Sequence, residues 1–469
     1  MQNTKLKKFL TGALYILPMV FFVVCYFLLT ATEEDIAQGA GTTPDVWGDL
    51  LAAFKNNARL ADMYAWAVIN FFDYQYSFGV DTIFRLIDVA AAMGMLVLLT
   101  SVVLGRKVEW RMKDALIFAG IFLMIFLTPF GYTLYRGFSM IHNYLIIALA
   151  LLGFTLPFLW KLRGKEIPKL YKKWWIAVPM GLVFGLSANF PPLAFLATYV
   201  IVKLWQWWRI RKNSQDYAKL KLETWEWLMI GGMLVSMVIG YTLGPGVSGY
   251  AQDSVYTVSY DYLALGEIVR DFGGSMMRIL KHLVVNFGRT LAPVMIILAI
   301  GYVLAWVRKK MRKEKLNFLP NGDGEKNTLL VILIFCLFCT LAGTQITMPI
   351  RLCLPAYLGL TVVAWILLRN WWGKPSKREL LAAGGIMAIL MMIVIGVRGF
   401  LAWDFHERVG VILQEVKDSK ADEICIELTR ATQRWQTPFN IFRQEETFVP
   451  RRTTARELYG KEVVYCQSQ

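Results

Sequence analysis

Residues 380–402 read LLAAGGIMAILMMIVIGVRGFLA, an unbroken apolar run in which Arg398 is the single charge. A helix needs about 20 such residues to cross a hydrocarbon core about 30 Å thick. A helix apolar on every face is buried in a core or in lipid. Working outward from this run, ten more of the same kind occur, near 9–31, 83–104, 115–131, 143–160, 174–188, 191–205, 227–243, 284–306, 328–345 and 350–368. Composition agrees with that pattern. Of the 469 residues, 56 % are apolar and 18 % charged, against roughly 25 % charged in a soluble domain. Aromatic residues make up 14 %, with 17 Trp, as suits side chains anchored at bilayer interfaces. The expected fold is an all-α polytopic membrane protein of about eleven transmembrane helices over residues 1–402, followed by a small mixed α/β tail over 403–469. The first run exceeds the length of a signal peptide and has no small-residue cleavage site after it, so it reads as a retained span.

The formal charge of +16 invites a nucleic-acid reading, and its distribution argues against one. If the segments between runs alternate across the membrane from an inside N-terminus, the inside segments hold 30 of the 50 Lys and Arg. Positive residues bias a loop toward the cytoplasm, so the basic excess is topological, with attraction to anionic lipid added. The expectation is a multi-pass protein of a bacterial cytoplasmic membrane, N-terminus inside and C-terminus outside, with membrane lipids and no nucleic acid as partners. The inside loops are too short for a nucleotide-binding domain, and no GxxxxGK[ST] occurs, which disfavours a self-contained ATP-driven pump.

The bulk lies outside, in loops 32–82 and 244–283 and in the tail. PDVWGDLLAAF places Pro44 at a first helical position with Thr43 as its cap. Trp47, Leu50, Leu51 and Phe54 recur at helical spacing, as in a helix lying along the outer leaflet. DYLALGEIVRDFGGSMMRILKHL (261–283) has the same character, with a break expected at Gly273-Gly274. The tail reads as a helix from Glu407 to about Ser419 and then short strands and turns. Cys425 and Cys466 fall in two of those strand-like runs and can form a disulfide if their side is oxidising. The Cys336/Cys339 pair reads as packing within a span.

A charge beside or within a span is expensive and marks a functional site by default. On the expected outer side stand Glu33, Glu34 and Asp35 after the first run, Arg59, Asp62 and Asp73 in the first loop, and Arg85 and Asp88 in the second run. Arg136 and His142 flank a turn, while Arg289, Arg351 and Arg398 lie near outer ends of later runs. Carboxylates facing several arginines suit deprotonation of a hydroxyl and stabilisation of a phosphate leaving group. Plainer readings stand beside these. The acidic triplet can be a solvated end of a span, Arg85 and Asp88 at i,i+3 can neutralise each other, Arg136 can be an ordinary turn residue, and Arg351 can be a snorkelling anchor. His142 and His282 lack metal-ligand spacing.

Four short features carry a resemblance: Glu34-Asp35 after the first run; Asn56-Asn57-Ala58-Arg59 ahead of an aromatic stretch; Gly137 through Asn143-Tyr144 leading into the fourth run; and Pro349-x-Arg351. With these, the chain resembles bacterial polytopic proteins of the GT-C glycosyltransferase type, and a bacterial membrane family of that architecture. The resemblance implies that Asp35 or Glu34 is the base and that the donor is a lipid-linked sugar. Arg59, Arg136 and Arg351 would then neutralise the lipid phosphate, with Asn143, Tyr144, Arg85, Asp88 and Arg289 as further substrate-binding positions. Two departures stand out. Residues 187–192 read Ser-Ala-Asn-Phe-Pro-Pro, without a carboxylate after the Asn, and Gly244-Pro245-Gly246 lacks the polar Asn and Arg of such proteins. The expected function is transfer of a sugar from a polyprenyl phosphate to a glycan or lipid acceptor. No nucleotide is needed, and a divalent metal at Glu33/Glu34/Asp35 is an open alternative. A transporter of lipid-linked sugars and a non-catalytic assembly subunit are the rivals.

Overall fold

A computed structural model of the chain describes residues 2–28, 60, 80–128, 138–187, 190–212, 222–243, 265–342, 353–427, 432–435, 444–447 and 462–466. These are mostly helical. In chain order the helices are α1 (Gln2–Phe27), α2 (Val80–Leu104), α3 (Met112–Phe126), α4 (Phe138–Leu162), α5 (Trp174–Ser187), α6 (Phe190–Lys212), α7 (Thr224–Leu243), α8 (Leu265–Arg270), α9 (Phe272–Met311), α10 (Asp323–Ala342), α11 (Leu354–Trp372) and α12 (Lys377–Asp418). A 3₁₀ turn at Lys169–Lys172 precedes α5.

A helix stands at each of the eleven apolar runs, yet eleven crossings is more than their lengths support. Among the described residues seven helices are long and apolar enough to cross a membrane, or eight if α5 and α6, which meet at 119°, count as one bent span. That makes the chain a multi-pass membrane protein. α3 has 15 residues, about 22 Å of helix, short of a core about 30 Å thick. It survives by burial: 13 of those 15 residues are covered, with α1, α2, α11 and α12 packed around it. Phe21 of α1 meets Phe122 and Phe126 with ring centroids 5.1 Å apart. Gly120 leaves the space that the Trp365 indole of α11 occupies, since a Cβ there would stand 1.9 Å from it.

Two helices outrun the bilayer. α9 has 40 residues and α12 has 42, about 60 Å each at 1.5 Å per residue. The chain break expected at Gly273-Gly274 lies instead at Asp271, whose carboxylate accepts from Gly274 N at 2.9 Å and caps α9. The second interfacial segment is therefore largely the start of a long helix. α12 likewise runs unbroken across the boundary expected at 402/403. Its start is set by Ser376 and Glu379, each bonded to the other's backbone N–H.

After α12 the described residues form four short strands, β1 (Glu423–Glu427), β2 (Thr432–Trp435), β3 (Gln444–Thr447) and β4 (Glu462–Cys466). β1 pairs with β4 in parallel and β2 with β3 antiparallel. Cys425 is disulfide-bonded, while Cys25, Cys336, Cys339 and Cys353 are buried free thiols. Cys466, on the strand paired with β1, is the sixth cysteine of the sequence. Cys336 donates to the Ala356 carbonyl at 3.3 Å, which bears out its reading as packing. The helix expected along 44–54 lies outside the described residues.

Candidate functional site

The described loops that are rich in Lys and Arg (105–111, 163–173, 312–322 and 373–376) fall at one end of the helices, called here the basic face. The opposite end is where α1 finishes, where α2 and α9 begin, and toward which α12 extends. Arg85 and Asp88 on α2 and Arg398 on α12 are buried there, at 4 %, 3 % and 4 % exposure. Arg85 Nη1 donates to the Tyr26 carbonyl at the end of α1, and its guanidinium lies 6.0 Å from the Phe27 ring centroid. The Asp88 charge acts on Tyr26, that of Arg398 on Cys25 and that of Arg85 on His406. An ionisable group at mid-membrane costs about 2.5–3.5 kcal/mol on insertion scales. Three of them brought to one end by two helices need more than topology to explain them.

α9 contributes a second polar group at this end. Its outer half is inverted relative to a soluble helix: from Phe272 to Leu291 the buried residues are Ser275, His282, Asn286 and Thr290, while Phe272, Met277 and Val284 are exposed. That is the pattern of a helix facing lipid with its apolar side and protein with its polar side. Arg289, on the same stretch, acts on Cys353 at the start of α11. Asn286, fully buried, is a site residue that the sequence did not single out, and His282, weighed there only as a metal ligand, is fully buried beside it. The available signal was the seven- and four-residue spacing of Ser275, His282, Asn286 and Thr290.

The other expected site residues divide as follows. Tyr144 is buried on α4; Asn143 lies on the same helix, and its side chain is outside the described residues. Glu33, Glu34, Asp35, Arg59, Arg136 and Arg351 also lie outside the described residues. Among the described residues no three His, Cys, Asp or Glu side chains group so as to hold a metal.

At the basic face several cations are paired with carboxylates. Arg106 makes a bidentate pair with buried Asp114, both bonds 2.7 Å, and Glu379 holds Arg308 at 2.7 Å and Arg312 at 2.8 Å. Lys161 binds Glu226 at 2.5 Å and Glu223 at 2.9 Å. The Lys161 ammonium holds the Glu223 carboxyl below the usual carboxylate range. Beside Lys161 opens a cavity of about 350 Å³ between α4, α6, α10 and α11, reached by Glu226 of α7.

Set against protein-family models, curated proteins and solved structures, the chain matches none of them. The GT-C resemblance accordingly rests on the four short features quoted from the sequence.

Proposed function

We propose that the chain is a membrane glycosyltransferase acting at the face opposite its basic loops, which we take as the outer face of a bacterial cytoplasmic membrane. The observation that carries this reading is the burial of Arg85, Asp88 and Arg398 in apolar helices at that end, beside the polar stripe of α9. Cations withdrawn from water bind a phosphate through charge-assisted hydrogen bonds about twice as strong as neutral ones. The disulfide at Cys425, beyond the end of α12, suits an oxidising compartment on that side.

In the proposed reaction Asp35 or Glu34 accepts the proton of an acceptor hydroxyl. That oxygen forms its bond to the anomeric carbon while the bond from that carbon to the carrier phosphate breaks, and the lipid phosphate leaves on the arginines. A single displacement inverts the anomeric centre. The chain is GT-C-like in this reading, and the long helices α9 and α12 flank the acceptor side. Replacing Arg85 or Arg398 by Gln should raise KM for a polyprenyl-phosphate sugar more than it lowers kcat. An unchanged KM in both would remove the cluster from the donor site.

One observation favours a transporter of lipid-linked sugars instead. α5 and α6 meet at 119° close to Pro191-Pro192, a broken helix pair of the kind that lines transport sites. Carrier movement across vesicles without sugar transfer would select that reading.

A further inference from the structure

The cavity between α4, α6, α10 and α11 is a shaft with a polar mouth. Its walls on α4 run from Leu151 to Leu162 and on α6 from Phe195 to Gln206, about 16 Å along each helix at 1.5 Å per residue. That is close to the depth of one leaflet, half of a hydrocarbon core about 30 Å thick. The hydroxyls along it are satisfied by their own helices: Thr155 donates to the Leu151 carbonyl and Thr198 to the Ala194 carbonyl, each at 2.7 Å. The shaft is therefore apolar below its mouth, and at about 350 Å³ it falls within the range of small-molecule sites, about 300–1,000 Å³.

The mouth lies at the basic face, and three side chains that line it make no hydrogen bond among the described residues. Lys161 is held between Glu223 and Glu226, and the charge of Glu226, which also lines the cavity, acts on Lys203 as well. Among the described residues Lys203 has no carboxylate within ion-pair distance, and its ammonium sits 5.4 Å from the Tyr199 ring centroid. Gln206, one turn beyond it, and Asn327, at the start of α10, also line the cavity, and their amides make no hydrogen bond among the described residues. A half-buried ammonium and two amides over an apolar shaft one leaflet deep define their ligand by complementarity.

We propose that this shaft binds an anionic lipid drawn from the leaflet on the basic face. The lipid phosphate takes hydrogen bonds from Lys203, Gln206 and Asn327, and one hydrocarbon chain lies along Phe195, Thr198 and Val202. The site is separate from the outer-face cluster, stands whether or not that cluster transfers sugar, and involves no chemistry.

The test uses the full-length protein purified in detergent, with retained lipid read by native mass spectrometry and stability by thermal unfolding. The probes are phosphatidylglycerol, phosphatidylcholine and glycerol phosphate. The expected result is retention of phosphatidylglycerol, with a rise in melting temperature that phosphatidylcholine and glycerol phosphate do not give. Lys203→Gln should weaken retention about tenfold, the scale of one charge-assisted bond, and Thr198→Phe, which fills the shaft, should abolish it. Asn327→Ala provides a milder second variant if Thr198→Phe fails to fold. Equal retention of phosphatidylcholine, equal binding of glycerol phosphate, or retention unchanged in Lys203→Gln and Asn327→Ala would overturn the proposal.

Discussion

The contact between α5 and α7 is set by missing side chains, and it makes the sharpest prediction about the fold. Gly181 and Gly185 lie one turn apart on α5, opposite Gly232 and Ser236 on α7. A Cβ on Gly181 would stand 2.2 Å from the Met229 carbonyl oxygen and 2.9 Å from the Met233 nitrogen. Both are backbone atoms of α7, so no rotamer change relieves them. Restoring ordinary contact at 3.4 Å means parting the helices by about 1.2 Å, an overpacking of the kind that costs about 1–3 kcal/mol. Small residues matter more here than in water, because lipid supplies no hydrophobic force to hold two helices together and close packing has to. Gly181→Ala should therefore destabilise by about 1–3 kcal/mol. Gly231→Ala, one residue from Gly232 on the same helix, meets nothing within 4 Å and should be neutral or stabilise by up to about 1 kcal/mol through helix propensity. The assay is thermal unfolding of both variants in one detergent, followed by the fraction that still elutes as a single species after heating. Equal melting curves for the two, or a more stable Gly181→Ala, would refute the close α5–α7 approach.

Further expectations follow from other parts of the molecule. Asp114→Ala takes both bonds from Arg106 and the Glu109 N–H bond at 3.0 Å, and should cost about 1–3 kcal/mol, read by the same melting assay. Glu223 is held below the usual carboxylate range by Lys161. Its contribution is thus fully present above the usual carboxylate range and is lost as pH falls from there through the lower folded value, so Glu223→Gln should flatten the acid side of a stability–pH curve, and an unchanged acid limb would contradict this. A membrane-impermeant maleimide added from the outside should label the tail cysteines only after reduction and leave Cys336, Cys339 and Cys353 untouched. Labelling without reductant, or only in inverted vesicles, would reverse the assigned side of the tail.

How much of this could be read from the sequence depends on which side chains lipid sees. Every apolar run became a helix, because composition alone decides that a lipid-exposed segment satisfies its backbone internally. The number of crossings did not follow, since an apolar run reads the same whether lipid or protein surrounds it. α3, short and covered by four helices, is the case in point. Arg85, Asp88 and Arg398 were legible as costly charges near the outer ends of spans. His282 and Asn286 were not, because polar residues at seven- and four-residue spacing look ordinary until the exposure of Val284 and Ile296 shows which face is turned inward. The basic loops read as topology, yet Asp114, Glu226 and Glu379 lock four of those cations in place, and the Lys161–Glu226 and Arg308–Glu379 pairs link positions more than 60 residues apart in the chain. The shaft was invisible for the same reason: Phe195, Thr198, Tyr199, Val202, Lys203 and Gln206 form one stripe of α6, and nothing in the stripe says that it faces a void.

The most direct test of the central claim is turnover of labelled polyprenyl-phosphate sugars by the purified protein in lipid vesicles, with no other protein present. The account predicts that wild type releases or transfers the sugar and leaves the carrier phosphate behind. Asp35→Asn or Glu34→Gln should be slower by about 10²–10⁴-fold, the usual contribution of a positioned base. Carrier that binds but keeps its sugar, to the same extent in wild type and both variants, would contradict it.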